Sequence, residues 1–573
     1  MGLKVPEPDA GAGDARRRSS ATQRLQEAGA LLDGLIAAIG SRGRFQTRFN
    51  LIFNLCFLVL AAMPPLNYMI AMSVPDHWCH VPGRELTNYS LDEWKALTIP
   101  RVKGESAFEH CLQYNVSWEY VDGLATPGTG NESAVVECQH GVQFDDTWYT
   151  NTVPSQERWV CGERLKVANA FAVHQVGHVV GGFMFCQLGD YLGRRPQFFL
   201  SMVLASLARS LLVATSSIYP LFLVVSILGG APIGAVFEAP LALSMEVSDS
   251  ERRGHIAMMQ LVGWSTGMCI VPLVAWACRD WVPFMLITSL PSLGVVFFFR
   301  MFPESPRWLA AKGRTHQCLS VLRHIAKVNG RSVPHGAMDV LERIAAAKER
   351  HFGIAGLFSS ARIIRNTVMI SLCRISGFLT FYVLVLNVSN MSGNPYLNFL
   401  YQALVEVPGF VMGRYLGDWL GRRWTQAGSQ WVMALANFTI VIILSFTSVS
   451  WPTTVLVVFI RFGTTIVNYI AYLQSMELYP TCIRQTGTSF GMLAAGALAA
   501  VAPYVVHLGA AYDPRLPYAV LGATLVVGGL LASFLPETLH CQLPETLRDA
   551  QVFGSDEKYW SFRPHEPPAK GPV

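Results

Sequence analysis

Residues 188–195 of the chain read Leu-Gly-Asp-Tyr-Leu-Gly-Arg-Arg, and residues 416–423 read Leu-Gly-Asp-Trp-Leu-Gly-Arg-Arg. Each copy follows one apolar run and precedes another. A short charged turn between two hydrophobic segments, repeated further along the chain, is typical of a membrane protein with an internal duplication. Two unrelated basic turns between soluble helices are the alternative, and the apolar flanks argue against it.

The composition also indicates a membrane protein. Hydrophobic residues make up 51% of the 573 residues and charged residues 14%, whereas a soluble domain has roughly 25% charged residues. The charges are unevenly placed along the chain. Residues 74–165 hold 14 acidic and 6 basic residues, and residues 302–366 hold 4 acidic and 11 basic residues. We therefore expect these two segments on opposite sides of the membrane.

Short basic turns predict the orientation. Cytoplasmic loops carry an excess of lysine and arginine, and the rule holds best for short loops. Eight arginines fall in short turns assigned to one face, namely Arg194, Arg195, Arg252, Arg253, Arg414, Arg422, Arg423 and Arg484. That face is expected to be cytoplasmic.

Twelve apolar segments are each long enough to cross a bilayer, which takes about 20 helical residues. They lie near residues 49–72, 167–187, 197–215, 219–241, 255–277, 281–301, 367–388, 396–415, 427–447, 452–473, 487–508 and 516–535. Pro64 and Pro65 should kink the first. Residues 1–48 are expected to form a cytoplasmic segment without a cleaved signal peptide and with an amphipathic pattern around Leu31 to Ile39. The even number of spans returns residues 536–573 to the cytoplasm.

The polar segment between the first two spans, residues 74–165, is predicted to be an extracellular cap. It holds four cysteines and three glycosylation sequons, at Cys79, Cys111, Cys138, Cys161, Asn88, Asn115 and Asn131. Such a combination is typical of a disulfide-linked, glycosylated segment of a plasma-membrane protein. Four cysteines allow three pairings, and the sequence does not choose among them. A homo-oligomer, if one forms, would associate through this cap.

The basic segment 302–366 separates two halves, residues 49–301 and 367–535. Helical apolar spacing in Thr315–Val328 and Met338–Arg350 predicts a small cytoplasmic helical domain. Two six-helix halves, each with the same turn after its second helix, follow the plan of the major facilitator superfamily, an all-α membrane fold of 12 transmembrane helices.

The segment Pro303-Glu-Ser-Pro-Arg-Trp-Leu309 resembles the signature of the organic cation, carnitine and organic anion transporters, solute carrier family 22. Other stretches that resemble this family are Phe45-Gln46, Glu157–Cys161, His324–Gly330, Gly393–Gly409, Glu477–Arg484, Pro536-Glu-Thr538 and Pro544-Glu-Thr546. The resemblance extends from Leu31 to Leu547 and includes the large cap. It implies alternating access, in which the two halves expose a central site to one side of the membrane at a time.

The resemblance further implies a set of residues that gate the cytoplasmic side. In the repeated turns these are Asp190, Arg194, Arg195, Asp418, Arg422 and Arg423. Further ion-pair partners are expected at Glu246, Arg252, Arg253, Glu304, Arg307, Glu477 and Arg484. Anchoring of the basic residues at lipid headgroups is the alternative for each of them.

Ionisable residues inside apolar spans point to the substrate site, because each costs roughly 2.5–3.5 kcal/mol on insertion and so needs a partner or a function. Glu238, Arg374, Glu406 and Arg461 are such residues. Glu406 matches an acidic position that the resemblance places near substrate in the cation and carnitine branches. The aromatic and polar candidates around a bound cation are Phe237, Gln260, Trp264, Phe381 and Tyr382. Simple packing or lipid contact is the alternative for each aromatic ring.

Three positions depart from the family pattern. Gly496 stands in the eleventh span where the cation branch has an aspartate and the anion branch an arginine. Ser226 stands in the fourth span where an arginine is expected, and Cys186 replaces the first glycine of the leading turn. With Glu406 and Arg461 both present, a site for both ends of a zwitterion is one interpretation. In the other, Arg461 only pairs Glu238 or Glu406 as structure, and the substrate is a monovalent cation.

His174 and His178 are four residues apart and so share one face of the second helix. The spacing suits a metal or a proton relay, but no third ligand is visible. A hydrogen-bonded pair between helices is the simpler interpretation, and no metal site is predicted.

These observations predict a transporter of small organic cations or zwitterions that works as a uniporter or an exchanger. No Gly-x-x-x-x-Gly-Lys-Ser/Thr loop occurs, so ATP is not the expected energy source, and no cofactor or nucleic-acid partner is expected. A transporter-like receptor or scaffold that binds a ligand through the cap is the alternative. The missing charges at Ser226 and Gly496 favour it, and the two retained turns oppose it. No enzyme motif is present.

Overall fold

Long apolar helices dominate the computed structural model, as the all-α prediction requires. The structure describes residues 31–32, 34–86, 88–101, 108–115, 118–121, 124–127, 135–248, 253–346, 354–391, 393–447, 451–480, 483–539, 541, 544 and 547–554. Twelve helical segments correspond to the twelve predicted spans. Spans 1 to 6 are Arg44–Ala71, Leu165–Leu192, Arg194–Thr215, Tyr219–Glu246, Arg253–Cys278 and Trp281–Met301. Spans 7 to 12 are Ala361–Leu386, Pro395–Leu420, Arg422–Phe446, Trp451–Leu478, Arg484–Ala511 and Leu516–Ser533.

Ten of these segments are long and apolar enough to cross a membrane, and the other two are spans 2 and 8. Span 2 is a single helix of 28 residues. Its length of about 42 Å is more than enough to cross the hydrocarbon core of a bilayer. Polar side chains such as His174, Gln175 and His178 lower the mean hydropathy of this helix. Span 8 is divided at Val405 into helices of 10 and 15 residues. Pro408 accounts for the break, because its ring displaces the carbonyl of Leu404 and it has no amide hydrogen to donate.

Other spans are also irregular. Span 1 contains a π-helical stretch, Asn50–Cys56, and continues as an α-helix through Pro64 and Pro65. Span 4 is interrupted at Ala231 and Pro232, and span 6 ends in the 3-10 helix Leu290–Met301. Broken helices are tolerated in membranes where neighbouring helices cover the freed backbone groups.

Glycines bring spans 2 and 4 into backbone contact. A Cβ atom at Gly177 would collide with the backbone of Ile227, and one at Gly181 would collide with Ala231. Small residues at such positions let membrane helices approach closely, which compensates for the weak hydrophobic drive between helices in lipid. The contact aligns the two helices that carry His174 and Ser226.

The repeated turns have the same backbone conformation in both halves. Gly193 ends span 2 with a φ of +107°, and Gly421 ends span 8 with a φ of +88°. Both values lie in the region that glycine adopts without strain, so each glycine lets the chain reverse directly into the next helix. The internal duplication seen in the sequence is therefore also present in the backbone.

The segment between spans 1 and 2 contains three two-stranded antiparallel sheets and a helix of eight residues. The pairs are β1 (His77–Cys79) with β6 (Val142–Phe144), β2 (Leu112–Tyr114) with β5 (Val135–Glu137) and β3 (Trp118–Val121) with β4 (Leu124–Pro127). The helix is Leu91–Thr98. Disulfides join Cys79 to Cys138 and Cys111 to Cys161, which selects one of the three pairings. We call this segment the cap and its side of the bundle the cap end.

Three short helices follow span 6, at Pro306–Ala311, Thr315–Asn329 and Ala337–Ala346. The last of these helices corresponds to the predicted stretch Met338–Arg350, of which residues 347–350 lie outside the described residues. Leu35 and Ile39 pack with Leu322 and Leu341 in one hydrophobic core. The predicted amphipathic segment before span 1 thus covers the helices after span 6. We call this side of the bundle the loop end.

Candidate functional site

A buried ion pair lies where span 8 meets span 10. Arg461 Nη2 donates to Glu406 Oε1, and the two side chains are 0% and 3% exposed. Ser265 of span 5 donates its hydroxyl to the other carboxylate oxygen at 3.1 Å. The carboxylate of Glu406 therefore joins the two halves of the bundle, and Arg461 is the structural partner that one of the two interpretations required.

Aromatic rings surround this pair. The guanidinium carbon of Arg461 lies 3.8 Å from the centroid of the Phe381 ring, and Phe381 packs edge-on against Tyr382 at 5.3 Å. On the other half, Trp264 meets Phe237 edge-on at 5.0 Å. These four rings are partly buried, so each keeps some surface accessible.

Gln260 is turned toward its own half of the bundle. Its amide donates to the carbonyl of Phe237 at 2.7 Å and so ties span 5 to span 4. The structure thus brings seven predicted site residues together in one region, namely Glu406, Arg461, Phe237, Gln260, Trp264, Phe381 and Tyr382. Two of the seven, Glu406 and Arg461, form an ion pair with each other.

The other two predicted charges, Glu238 and Arg374, lie apart from this pair. Arg374 is 2% exposed, lies 5.8 Å from the Tyr472 ring and donates to Ser475 at 3.2 Å. The side chain of Glu238 is exposed at the surface of the bundle, although it belongs to an apolar span. Arg461 therefore does not pair with Glu238, which was one of the sequence alternatives.

Sequence reasoning missed Arg209 of span 3, which is fully buried. Its guanidinium lies 4.7 Å from the Tyr68 ring, and Nη2 lies 3.0 Å from His174 Nε2. Because an arginine can only donate, His174 accepts at Nε2 and carries its proton on Nδ1, which donates to the Ser226 carbonyl. The same test that found Arg374, an ionisable residue in an apolar run, would have found Arg209.

His174 and His178 do not contact one another as a ligand pair. His174 bonds to spans 3 and 4 as described, whereas His178 Nδ1 lies 3.4 Å from Gln175 on its own helix. Only His174 therefore fits the predicted bond between helices.

The two departures in spans 4 and 11 have structural explanations. Ser226 is completely buried, and its hydroxyl lies 3.2 Å from that of Tyr68. Arg209 fills the space beside it, with its guanidinium against Gly229. Gly496 accepts a hydrogen bond from Gln175 at 3.3 Å, and a Cβ there would lie 3.1 Å from Val179. A charged side chain at position 496 would therefore press on span 2. The side chain of Cys186 lies outside the described residues.

Contacts between the halves concentrate at the cap end. Tyr396 of span 8 donates to the Trp148 carbonyl of the cap at 2.9 Å, and Tyr504 donates to Asn169 at 2.9 Å. One hydrophobic core includes Met268 and Phe284 from one half and Phe399 from the other. The bundle is therefore closed at the cap end.

At the loop end, the predicted gating residues form matching sites in the two halves. Glu304 accepts the backbone N–H of Arg194 at 2.7 Å, and Glu537 accepts that of Arg422 at 2.8 Å. Ser305 donates to Glu246 in the first half, as Thr538 does to Glu477 in the second. Sequence reasoning named Glu304 but missed Glu537, although the repeated Pro-Glu-Ser/Thr was visible.

The remaining gating candidates lie in the same regions. Arg422 also pairs with Asp418 at 2.7 Å and with Glu477 at 3.5 Å. The Arg195 side chain donates to the Phe299 carbonyl, and Arg484 donates to that of Tyr479. Arg307 lies in the helix that follows Glu304, and Arg423 donates to Ser533. Arg252 and the side chains of Asp190 and Arg253 lie outside the described residues.

The cap is hydrogen-bonded to the first half of the bundle. Arg279, between spans 5 and 6, donates to the carbonyls of Asp146 and Thr147 at 2.6 Å each. Within the cap, burial raises the pKa of Tyr149 to about 12 and lowers that of His77 below its ordinary value. Asn88 and Asn115 are exposed, and Asn131 lies outside the described residues.

Comparison with known proteins identifies the family. Residues 133–549 match the family model for sugar (and other) transporters. The chain is 28% identical to a β-alanine transporter of Drosophila melanogaster, covering 91% of this chain and 89% of that protein. It is also 28% identical to solute carrier family 22 member 7 of Rattus norvegicus, with coverage of 92% and 99%. Organic cation/carnitine transporter 2 of Homo sapiens is 28% identical, with coverage of 90% and 93%.

Solved structures agree on the fold. The inward open conformation of the xylose transporter XylE from E. coli aligns with a TM-score of 0.54, at 17% identity, over 71% of this chain and 92% of that one. The major facilitator fold and the resemblance to solute carrier family 22 are thereby confirmed. The chain belongs to the sugar (and other) transporter family, as a multi-pass membrane transporter, not an enzyme, whose relatives include members of solute carrier family 22.

Proposed function

We propose that this protein moves small organic cations or zwitterions across the plasma membrane by alternating access, as a uniporter or an exchanger. The observation that carries the proposal is the buried carboxylate of Glu406, which contacts both halves of the bundle. Relatives named for β-alanine and for carnitine support it, because both compounds carry an amine or ammonium group and a carboxylate.

The site that we propose is the region around Glu406. Its partly buried rings offer π faces to a cation, and the ion pair beside them supplies charge in a water-poor environment. For a monovalent cation, the membrane potential adds about 2.3 kcal/mol per 100 mV, which suffices for accumulation without ATP.

The topology that we propose puts the cap outside the cell and both termini in the cytoplasm. Two disulfides in the cap and the basic loop end support this orientation. With the cap outside, a bundle closed at the cap end corresponds to the state that faces the cytoplasm. The gating residues at the loop end would then separate and rejoin as the halves move.

The test is transport by purified protein in proteoliposomes, measured as counterflow. Three solutes that differ in charge serve as probes: β-alanine is a zwitterion, β-alaninamide a cation of the same size and N-acetyl-β-alanine a larger anion. We expect saturable counterflow of the first two and at least a tenfold loss in Glu406→Gln, provided that the variant is monodisperse. Counterflow of the anion alone, or of none of the three, would contradict the proposal.

The receptor alternative has a different outcome. A non-transporting protein would bind a ligand at the cap and give no counterflow with any solute. The relatives described above are transporters by name, and both repeated turns are intact, so transport is the function that we propose.

Association of copies through the cap is a separate proposal. The described part of the cap exposes Leu97, Val135 and Trp148 at 37%, 44% and 36%. Native mass spectrometry of the purified protein tests it, and a monomer at all concentrations would overturn it.

A further inference from the structure

A groove with a volume of about 730 Å³ lies at the loop end of the first half, and we call it the basic groove. It is lined by the ends of spans 2 and 6, the start of span 3 and the first two helices after span 6. Its five basic lining residues are Arg195, Arg300, Arg314, His316 and His324. The acidic side chain in the lining is Glu304, whose two oxygens already accept the backbone N–H groups of Arg194 and Arg195. The groove therefore offers positive charge to a ligand.

The ends of the spans give the basic groove apolar lining as well. Leu192 of span 2 and Phe299 of span 6 line it and are 41% and 45% exposed. Phe297, two residues earlier in span 6, is 91% exposed. Large apolar side chains that are exposed together at the end of a span mark a surface that contacts lipid. A ligand that fits this place therefore has both an anionic group and an apolar part.

Aromatic rings orient two of the arginines in the basic groove. Nη2 of Arg195 donates to the Phe299 carbonyl at 2.7 Å, and its guanidinium carbon lies 3.8 Å from the centroid of the Phe299 ring. The guanidinium carbon of Arg314 lies 5.3 Å from the centroid of the Trp308 ring. Stacking of this kind leaves the charge of a guanidinium in place, and its N–H groups can bind a phosphate. Arg300 and Arg314 are both exposed, so a phosphate group can reach them.

The second half of the chain does not repeat this charge. Four residues before Glu304 stands the exposed Arg300, and four residues before Glu537 stands Ser533, which is 3% exposed. Residues 311–327 hold four lysines or arginines and no acidic residue. Residues 544–560, at the same distance after Glu537, hold two basic and four acidic residues. Because the repeated turns and their glutamates match in both halves, the fold itself does not require a basic groove, and its charge points to a ligand.

We propose that the basic groove binds one anionic glycerophospholipid. The phosphate of its headgroup lies against Arg300 and Arg314, and its acyl chains lie along Leu192 and Phe297. On the topology proposed above, this lipid comes from the cytoplasmic leaflet, where the anionic lipids of the plasma membrane are found. A soluble phosphate compound would satisfy the arginines but would leave the exposed apolar side chains without a partner. The lipid site is separate from the proposed substrate site around Glu406.

The test is native mass spectrometry of the purified full-length protein in a neutral detergent. Phosphatidylglycerol, which is anionic, and phosphatidylcholine, which is zwitterionic, are added in separate titrations, and the lipids bound per chain are counted. We expect one phosphatidylglycerol to bind in preference to phosphatidylcholine. The double variant Arg300→Gln/Arg314→Gln should weaken phosphatidylglycerol binding by about tenfold or more, as the loss of charge-assisted bonds implies. His316→Glu, a single exposed change that places a negative charge in the groove, should weaken it in the same direction.

The matched control is Arg323→Gln/Lys327→Gln. It removes the same charge from exposed positions on the helix Thr315–Asn329 that do not line the groove, so it should bind phosphatidylglycerol as the wild type does. Equal losses in the two double variants would mean that any basic surface at the loop end attracts the lipid, and the site would be refuted. Equal binding of the two lipids by the wild type would refute it as well.

A competition experiment separates a lipid from a soluble phosphate compound. Dihexanoyl phosphatidylglycerol, which has short acyl chains, should displace the bound phosphatidylglycerol far better than glycerol 3-phosphate, which has none. Equal displacement by the two would show that the groove takes a free phosphate compound, and the lipid proposal would be wrong. None of these measurements uses transport, so their failure leaves the proposed function standing, and a lack of counterflow leaves the lipid site standing.

Discussion

Glu304 and Glu537 make the same contact in the two halves of the bundle. Each carboxylate accepts the first two backbone N–H groups of the helix after the repeated turn, at 2.7 and 3.3 Å for Glu304 and at 2.8 and 3.2 Å for Glu537. The first amides of a helix have no partner within it, and the helix dipole favours a negative charge there. In each half, a glutamate that follows the last span therefore binds the start of the helix after the repeated turn.

Substitution of Glu537 by Gln should destabilise the second half. The amide keeps one acceptor oxygen and brings N–H groups against N–H groups, so we expect a loss of about 1–3 kcal/mol, with a similar loss for Glu304→Gln. Thermal unfolding of the purified protein measures it. Glu342→Gln, an exposed position on a loop-end helix, is the control. Equal midpoints for the two variants and the control would show that the contact carries no stability.

Replacing one partner of the Glu406–Arg461 pair should destabilise the protein more than replacing both partners. Removing one partner of a buried ion pair typically costs about 3–5 kcal/mol, because the other charge stays behind unpaired. We therefore expect Glu406→Gln and Arg461→Gln each to destabilise the protein more than the double variant does. A double-mutant cycle on thermal unfolding gives the coupling. Glu238→Gln makes the same chemical change without a paired arginine and should have a smaller effect; additive losses would argue against the pair.

The disulfide pairing predicts which cysteine becomes a free thiol when its partner is replaced. In Cys79→Ser, Cys138 should become reactive with maleimide, while Cys111 and Cys161 stay bonded. Peptide mass spectrometry after labelling identifies the site. Cys318 is an internal control, because its burial raises the pKa of the thiol to about 12 and keeps it protonated and unreactive. Labelling at Cys111 would mean a different pairing.

Acid should destabilise the cap through His77. Burial lowers the pKa of this imidazole below 6.5, the nearby His110 lowers it further, and the Pro75 carbonyl and Asp76 partly oppose the shift. The folded state therefore takes up its proton at lower pH than the unfolded chain. The associated stability is present above about pH 6.5, the ordinary value, and is lost as the pH falls below it.

The measurement for His77 is the unfolding midpoint between pH 7.5 and 5.0. His77→Phe keeps a ring beside Phe144 and cannot titrate, so its midpoint should fall less on acidification than that of the wild type. His140→Phe, at an exposed position in the same cap, should behave like the wild type. A parallel fall in all three proteins would place the acid sensitivity elsewhere.

The sequence by itself was sufficient for the architecture. Span number, the repeated turns and the helices of the loop end all depend on local properties, namely apolar length, helical spacing and the conformational limits of glycine. The aromatic and charged candidates were also visible one by one, because an ionisable residue in an apolar run needs no alignment to be noticed.

Only the tertiary structure decided which of these residues meet. Glu406 and Arg461 are 55 positions apart, Cys79 and Cys138 are 59 apart, and Glu304 lies 110 positions from the amide that it accepts. Local pattern cannot rank such pairings, because their geometry is set by how the helices pack. The same packing gives Glu406 and Arg461 an ion pair and gives Glu238 and Arg374 none among the described residues, a distinction that composition and spacing do not contain.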